Sequence, residues 1–317
     1  MSICAFESEG SAGSRALLSE ADPVPGFLRW IGEIRRLSPH TVRAYRDDVA
    51  ELRAHVGSEG WPDVPPAAVR SYLAACALRG MATKSVARKL SGVRAFFEHL
   101  VESGALASNP TRSIAAPRPA SRLPGFLTLS QAEALFAHAE ASAAGDRFAA
   151  VRNVGMLELF YGGGIRLAEL QTLDCAHVDR EQGWVRVMGK GHKEREVPIG
   201  ASAVAALSRY ESLRDELVGK DAGAWDAPLF TTARGRRLSR RQIQRAITAL
   251  LGAAAAEARL TVHSLRHSFA THMLENGASI VAVQELLGHE RLQTTTIYTH
   301  MSTARMLRAY RAAHPRA

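Results

Sequence analysis

Residues 183–200 read GWVRVMGKGHKEREVPIG. Two alternating runs, Val185-Arg-Val-Met188 and Glu196-Val-Pro-Ile199, flank the triplet Gly189-Lys190-Gly191 and a charged stretch. Alternation of this kind about a glycine-containing turn is a β-hairpin signature, with Lys190 near its tip. The segments on either side repeat at helical spacing instead. The expectation is therefore a mainly α chain with one small sheet, set in the second of two domains.

Outward from the hairpin, "LSQAEALFAHAE", "RFAAVRNVGMLELFYGG" and "RLAELQTL" precede it as helices, and "TVHSLRHSFATHMLENG" and "IVAVQELLGHE" follow. Upstream, Ser38 and Pro39 offer an N-cap and a first helical residue. Val42, Tyr45, Val49, Leu52 and Val56 then form one apolar stripe. A helix through "PPAAVRSYLAACALRG" points Val69, Leu73 and Cys76 inward, and the next buries Val86, Leu90, Val93, Phe97 and Leu100. The other face of that last helix carries Lys84, Arg88, Lys89 and Arg94, which reads equally as a functional basic side or an ordinary solvated one. Pro110, Pro117, Pro119 and Pro124 then crowd a short stretch, as in a stiff linker. The expected organisation is a leader at 1–24, a helical domain at 25–108, a proline-rich linker at 109–125 and a second domain at 126–317.

Forty Lys+Arg against 31 Asp+Glu give a formal charge of +9 in 317 residues, which favours a polyanionic partner. The most apolar window, "ALLGAAAA" at 249–256, falls far short of the roughly 20 residues that span a bilayer. The start of the chain has early glutamates and no apolar run, unlike a signal peptide. Cys4, Cys76 and Cys175 are isolated and without CxxC spacing, which argues against a disulfide framework or zinc site. A cytoplasmic protein is expected.

Three polar clusters and a tyrosine carry the candidate chemistry. In "YGGGIRLAEL" Arg166 opens a helix after three glycines, with Glu169 one turn on; a glycine-rich approach to a helix start suits an anion. Lys190 can serve as a charge or a proton donor. His263 and Arg266 share a helix face. "LLGHERLQTTTIYTH" (286–300) adds His289 and Tyr298. Taken singly, each is an ordinary turn, surface or core residue. Together they could act on a phosphodiester. Two guanidiniums would fork onto its non-bridging oxygens. A histidine would take the tyrosine proton while the phenolic oxygen attacks phosphorus, and a lysine would protonate the leaving alkoxide. No HExxH or P-loop is present.

Arg166, Lys190, "HSLRH", "LLGH" and "IYTH" resemble, in order and spacing, the tyrosine recombinases, also called the phage integrase family. "LDCAHVD", "MGKGHKEREVPIG", "LRHSFATHMLENG" and "VQELLGHERLQTTTIYTH" are similar to the bacterial Xer recombinases within it, and the likeness runs from about residue 25 onward. The resemblance implies a helical, SAM-like core-binding domain followed by a catalytic domain, the two clamping duplex DNA. It implies Arg166 and Arg266 as phosphate-binding arginines, Lys190 as general acid, His263 as general acid/base, His289 as hydrogen-bond donor, Tyr298 as nucleophile and Glu169 as support for the first arginine. It implies no cofactor and no metal. The expected partners are a double-stranded DNA recombination site and a XerD-like recombinase in a heterotetramer, with a septal DNA translocase as a controller the resemblance allows. The task would be resolving chromosome or plasmid dimers before cell division.

Where the family usually reads Thr-Gly-Leu-Arg-x-Ser-Glu-Leu, this chain has Gly163, Ile165 and Ala168 at the first, third and sixth positions; altered packing with retained activity is expected. The run RGRRLSRRQIQR at 234–245 suits DNA phosphates, so Arg236, Arg237, Arg240 and Arg241 join Lys84, Arg88 and Arg94 as expected DNA contacts. His267, Lys193 and His300 are expected to support packing or the DNA backbone. The closing "TARMLRAYRAAHPRA" is expected, by the same resemblance, to pack on a neighbouring protomer. Other readings remain open at this level: a XerD-like, phage or integron integrase, or a catalytically silent DNA-binding protein of the same fold.

Overall fold

The computed structural model describes residues 22–57, 60–117, 125–189, 194–219, 224–254, 260–288 and 303–317. The chain divides into two compact units, Met1–Arg122 and Leu123–Ala317.

The first unit is helical. Helix α1 (Val24–Arg29) runs on through a wider turn at Trp30–Ile34, followed by α2 (Pro39–Val56), α3 (Pro66–Leu78) and α4 (Thr83–Glu102). Ser38 caps α2, its hydroxyl accepting the Thr41 N–H at 3.2 Å. The apolar stripes meet around Phe27, Leu52, Val69, Leu90, Val93 and an edge-to-face pair of Trp61 and Phe96 with centroids 4.6 Å apart.

The basic face of α4 is not all surface. Asp48 of α2 is fully buried, and Arg88 forks onto both its oxygens while Lys89 donates to Oδ1 at 3.1 Å. Lys89 is itself buried and also reaches Glu51 at 2.9 Å. Gly92 makes room for this: a Cβ there would lie 2.8 Å from Asp48 Oδ2. The helical wheel places Lys89 outward, yet the carboxylates of α2 draw its ammonium in.

The second unit is built on α6 (Phe148–Gly162), buried on nearly every side from Val154 onward, as expected of a helix that is apolar all round. Around it pack α5 (Leu129–Ala143), α8 (Ala201–Val218), α9 (Arg240–Ala254) and α10 (Val262–Glu275). Short α7 (Leu167–Thr172) follows α6, and α11 (Ile280–Leu287) follows α10.

The hairpin forms where the sequence places it, as β2 (Trp184–Met188) and β3 (Glu194–Pro198), antiparallel, with Val185 opposite Val197 and Val187 opposite Arg195. A two-residue strand that the sequence reading missed, β1 (Val178–Asp179), adds to the free edge of β2. It is too short to show alternation. Residues facing each other across a ladder share one side of the sheet, so Arg195 lies on the side of Val185, Val187 and Val197, all fully buried.

The last helix, α12 (Thr303–Ala313), departs from the expectation of a tail seated on a neighbour. It packs on its own unit, burying Tyr310 and Ala313 among Phe269, Met273, Val283, Leu286 and Leu287. His314 stacks on Tyr310 at 4.9 Å, and Arg316 pairs with Glu158, a carboxylate buried in α6. Gly200 lets the chain end approach, since a Cβ there would sit 1.9 Å from the Arg316 carbonyl oxygen. The apolar face and the cation both find complements within the single chain, which accounts for the difference.

Removing the Asp48 carboxylate leaves the buried Lys89 ammonium with only the exposed Glu51 as a carboxylate partner among the described residues and frees the Arg88 guanidinium. Breaking a buried ion pair from one side costs about 3–5 kcal/mol. Asp48→Ala is therefore expected to weaken the first unit by about 3 kcal/mol or more in urea unfolding. A change below about 1 kcal/mol contradicts the buried-pair account.

Candidate phosphodiester site

The site gathers where α7 begins and α11 ends. Gly164 leads into it with φ +58 and its carbonyl facing Arg266. A Cβ at Gly164 would meet Phe269 Cδ1 at 2.8 Å and Leu287 Cδ2 at 3.0 Å, so glycine is required on both counts. Gly163 is also tightly held: a Cβ there would come within 3.2 Å of Ile165 Cγ1, Leu159 O and Val197 Cγ1. The glycine in place of the family's threonine thus goes with a close approach of this turn to the sheet. Ile165 is buried, and Ala168 is exposed.

Arg166 is the N-cap of α7. Its backbone N–H donates to Glu169 Oε2 at 2.8 Å and its guanidinium to Oε1 at 2.7 Å. Glu169 is buried and takes a second fork from Arg195, at 2.8 and 3.0 Å. Burial works to raise the Glu169 carboxyl, but Arg195 and Arg166 outweigh it and hold the group down to about 2.

The three arginines then close the carbonyl end of α11. Arg195 Nε donates to Leu286 O at 3.2 Å, Arg266 to Leu287 O, and Arg166 to Gly288 O at 3.1 Å. Gly288 ends the helix with φ +64. Cations suit the negative end of a helix, and successive carbonyls bring the guanidiniums of Arg266 and Arg166 close together. Arg266 is pushed down to about 9, first by burial and then by Arg166 and Arg195, with Glu169 opposing. Three guanidiniums against one carboxylate leave a surplus of positive charge, an environment that favours an anion.

His263 lies one turn before Arg266 on α10 and is exposed. Thr261 caps that helix, its N–H donating to Ser264 Oγ at 3.1 Å. Lys190, His289 and Tyr298 lie outside the described residues, as do Lys193 and His300. His289 follows Gly288 directly in the chain. His267 is exposed, its ring edge-on to Phe126 at 5.9 Å. The structure thus brings Arg166, Glu169 and Arg266 together and adds Arg195, which sequence reasoning did not single out. The signal for it was the period-two pattern of β3, in which Arg195 shares the side of buried Val197.

Of the residues expected at DNA, Lys84, Arg236, Arg240 and Arg241 are exposed. Arg88 is exposed too, but its guanidinium is committed to Asp48. Arg94 donates to Ile114 O at 2.8 Å, and Arg237 to Leu173 O, Gln171 O and Asp174. Both are half-buried struts, Arg94 on a backbone carbonyl and Arg237 on two carbonyls and the Asp174 carboxylate. Among the described residues no group of three or more His, Cys, Asp or Glu could hold a metal ion, and no helix is long and apolar enough to cross a membrane.

A helical unit followed by a helical unit with a small antiparallel sheet, and a buried cluster of arginines with surplus positive charge, are what the tyrosine recombinase resemblance implies. Residues 125–305 match the phage integrase family and residues 24–104 its N-terminal SAM-like domain. The chain is 40% identical over 298 residues to "Tyrosine recombinase XerC" of Serratia marcescens, covering 93% of this chain and 95% of the relative. The protein of the same description from Yersinia pestis is 39% identical over 302 residues, covering 94% and 96%. Among solved structures, XerH bound to a palindromic difH substrate has the same fold, with TM-score 0.67 at 17% identity over 95% of this chain and 89% of that one. A lambda integrase dimer on a COC′ core site gives 0.63 at 16% identity, covering 86% and 99%. The chain belongs to the phage integrase family, the tyrosine recombinases. The two relatives named here are both described as tyrosine recombinase XerC.

Holding a carboxyl at about 2 rather than its ordinary 4.5 corresponds to stability on the order of 3 kcal/mol. Because the folded value is depressed, this contribution is complete above pH 4.5 and is lost as the pH falls towards 2. Glu169→Gln is expected to destabilise the second unit at pH 7, with the difference from wild type shrinking between pH 4.5 and 2 in urea titrations. A difference that is constant over that range contradicts the ion-pair account.

Proposed function

We propose that the chain performs site-specific recombination through a 3′-phosphotyrosyl intermediate, with Tyr298 as nucleophile. The observation that carries this is the convergence of Arg166 and Arg266 on the end of α11, the helix from which the sequence runs on to His289 and Tyr298. The two guanidiniums bind the non-bridging oxygens of the scissile phosphate and stabilise the charge that builds in the transition state. His263 accepts the Tyr298 proton as the phenolic oxygen bonds to phosphorus, and His289 donates a hydrogen bond to the phosphate. The bond from phosphorus to O5′ breaks, and Lys190 gives that oxygen its proton. Glu169 fixes Arg166. The ester formed replaces the ester broken, so rejoining needs no external energy source. Similarity to XerC relatives supports a cytoplasmic role in resolving chromosome or plasmid dimers. The proposed assembly is a heterotetramer with a XerD-like recombinase on two DNA sites, under the control of a septal translocase.

The test uses nicked duplex DNA bearing a host recombination half-site that cannot religate, with the XerD-like partner present. Wild type is expected to give a protein–DNA adduct that survives denaturation, and Tyr298→Phe none. Arg266→Ala should slow adduct formation about 100- to 1,000-fold while duplex binding stays measurable. No adduct from wild type, despite tight binding, supports a silent DNA-binding protein instead.

A further inference from the structure

Arg195 stands on β3 opposite Val187, and its guanidinium reaches two other elements. Nη1 and Nη2 fork onto Oε1 and Oε2 of Glu169, on α7, at 2.8 and 3.0 Å. Nε donates to Leu286 O, on α11, at 3.2 Å. Gly288 lets the side chain lie flat against the end of α11, since a Cβ there would come within 3.0 Å of Arg195 Cδ and 3.1 Å of its Nε. The side chain is only 15% exposed. Walled in by three pieces of chain and engaged through all three guanidinium nitrogens, Arg195 is placed to orient its neighbours rather than to receive a ligand.

What it orients follows from the acceptors of Glu169. An ionised carboxylate has about four lone-pair sites. Oε2 takes the Arg166 backbone N–H at 2.8 Å and Arg195 Nη2 at 3.0 Å, while Oε1 takes Arg166 Nη1 at 2.7 Å and Arg195 Nη1 at 2.8 Å. The carboxylate is filled, and the guanidinium of Arg166 touches only one of its oxygens. That guanidinium keeps 35% of its side chain exposed beside a carboxylate that is 4% exposed. Guanidinium and carboxylate favour a two-pronged pair. Without Arg195, the buried Glu169 charge would have Arg166 as its one close cation, and both oxygens would draw that guanidinium into a closed fork. The surplus of positive charge in the cluster would fall at the same time, since one of three guanidiniums would be gone and the carboxylate would remain.

We propose that Arg195 is a positioning residue for the phosphodiester site. By filling Glu169 it keeps the Arg166 guanidinium available to the non-bridging oxygens of the scissile phosphate, and by holding Leu286 O it fixes the end of α11 beside them. Arg195 does not itself touch the phosphate. The role deepens the recombinase reading and rests on it for the identity of the phosphate.

The test compares full-length wild type, Arg195→Gln, Arg195→Lys, Glu169→Gln and the double variant Glu169→Gln/Arg195→Gln in single-turnover adduct formation on saturating nicked half-site duplex. One substrate carries the ordinary scissile phosphate. A second carries a methylphosphonate there, in which a methyl group replaces one non-bridging oxygen and removes the charge. A misplacement of about 1 Å in an active site costs on the order of 100-fold, so Arg195→Gln is expected to slow adduct formation on the ordinary phosphate by about that factor. Half-site affinity should change far less, and Arg195→Lys, which keeps the charge, should recover part of the rate. On the methylphosphonate the gap between wild type and Arg195→Gln should narrow, because no charged oxygen waits for Arg166. The double variant should be no slower than Arg195→Gln, since without the carboxylate nothing captures Arg166; it also removes the stranded charge that could unfold the single variant. The same gap on both substrates, with losses that multiply in the double variant, makes Arg195 a purely structural residue and overturns the proposal. A second arm needs no cleavage: inorganic phosphate is titrated in thermal unfolding, and wild type should be stabilised at lower phosphate concentrations than Arg195→Gln. If wild type forms no adduct, the recombinase reading fails and this arm alone decides. An advantage for wild type then upholds the positioning of Arg166, and coincident curves overturn it.

Discussion

One buried carboxylate organises the catalytic unit. Glu169 accepts the backbone N–H of Arg166, the side chain of Arg166 and a two-pronged contact from Arg195. It thereby joins the turn after α6, the start of α7 and the second hairpin strand. Without it, three guanidiniums would stand together with no negative charge among them. With it, two are fixed in orientation and the third, Arg266, is held by carbonyls alone. Arg195 and Arg166 hold the Glu169 carboxyl down against its burial, while burial first and then the same two arginines lower Arg266.

That imbalance gives the end of α11 its importance. Helix termini leave carbonyls without intrahelical partners, and here three successive ones are each taken by a different arginine. The arginines are thus anchored through part of their donor set while remaining short of negative charge. Hydrogen bonds to neutral carbonyls orient a guanidinium without cancelling its charge, which distinguishes a waiting anion site from a closed ion-pair network. The contrast with the first unit is instructive. There the carboxylates of Asp48 and Glu51 take Arg88 and Lys89 directly, with Arg79 reaching Glu51 from the surface, and the cluster reads as a structural one.

How much of this was legible in the sequence depends on the distance over which each signal acts. The hairpin, the helical stripes and the break among the prolines are local patterns, and the described strands and helices follow them. Arg166 and Glu169 are three apart, so their partnership could be read from spacing as well as from the family resemblance. Arg195 comes from a different element 26 residues further on. The period-two pattern of β3 puts it on the side of Val197, and the register with β2 sets it opposite buried Val187. Lys89 and Arg237 read as surface for a related reason: a charged residue on a helix or loop does so until another element brings it a carboxylate or a carbonyl. The two-residue strand β1 carries no alternation to read, and the docking of α12 depends on the shape of a groove made by two other helices.

The packing of that last helix also bears on the site. Tyr310 and Ala313 lie in the same small core as Phe269 and Leu287, the two residues a Cβ at Gly164 would strike. Phe269 sits one turn beyond Arg266, and Leu287 provides the carbonyl Arg266 binds. The tail, the Gly164 turn and the end of α11 therefore share one set of contacts. Close-packed interiors respond to shifts of a fraction of an ångström, so whatever occupies the groove of α12 also sets the geometry around Arg266. The C-terminal segment is in this sense a wall of the site, and the orientation of the second arginine depends on that wall being in place.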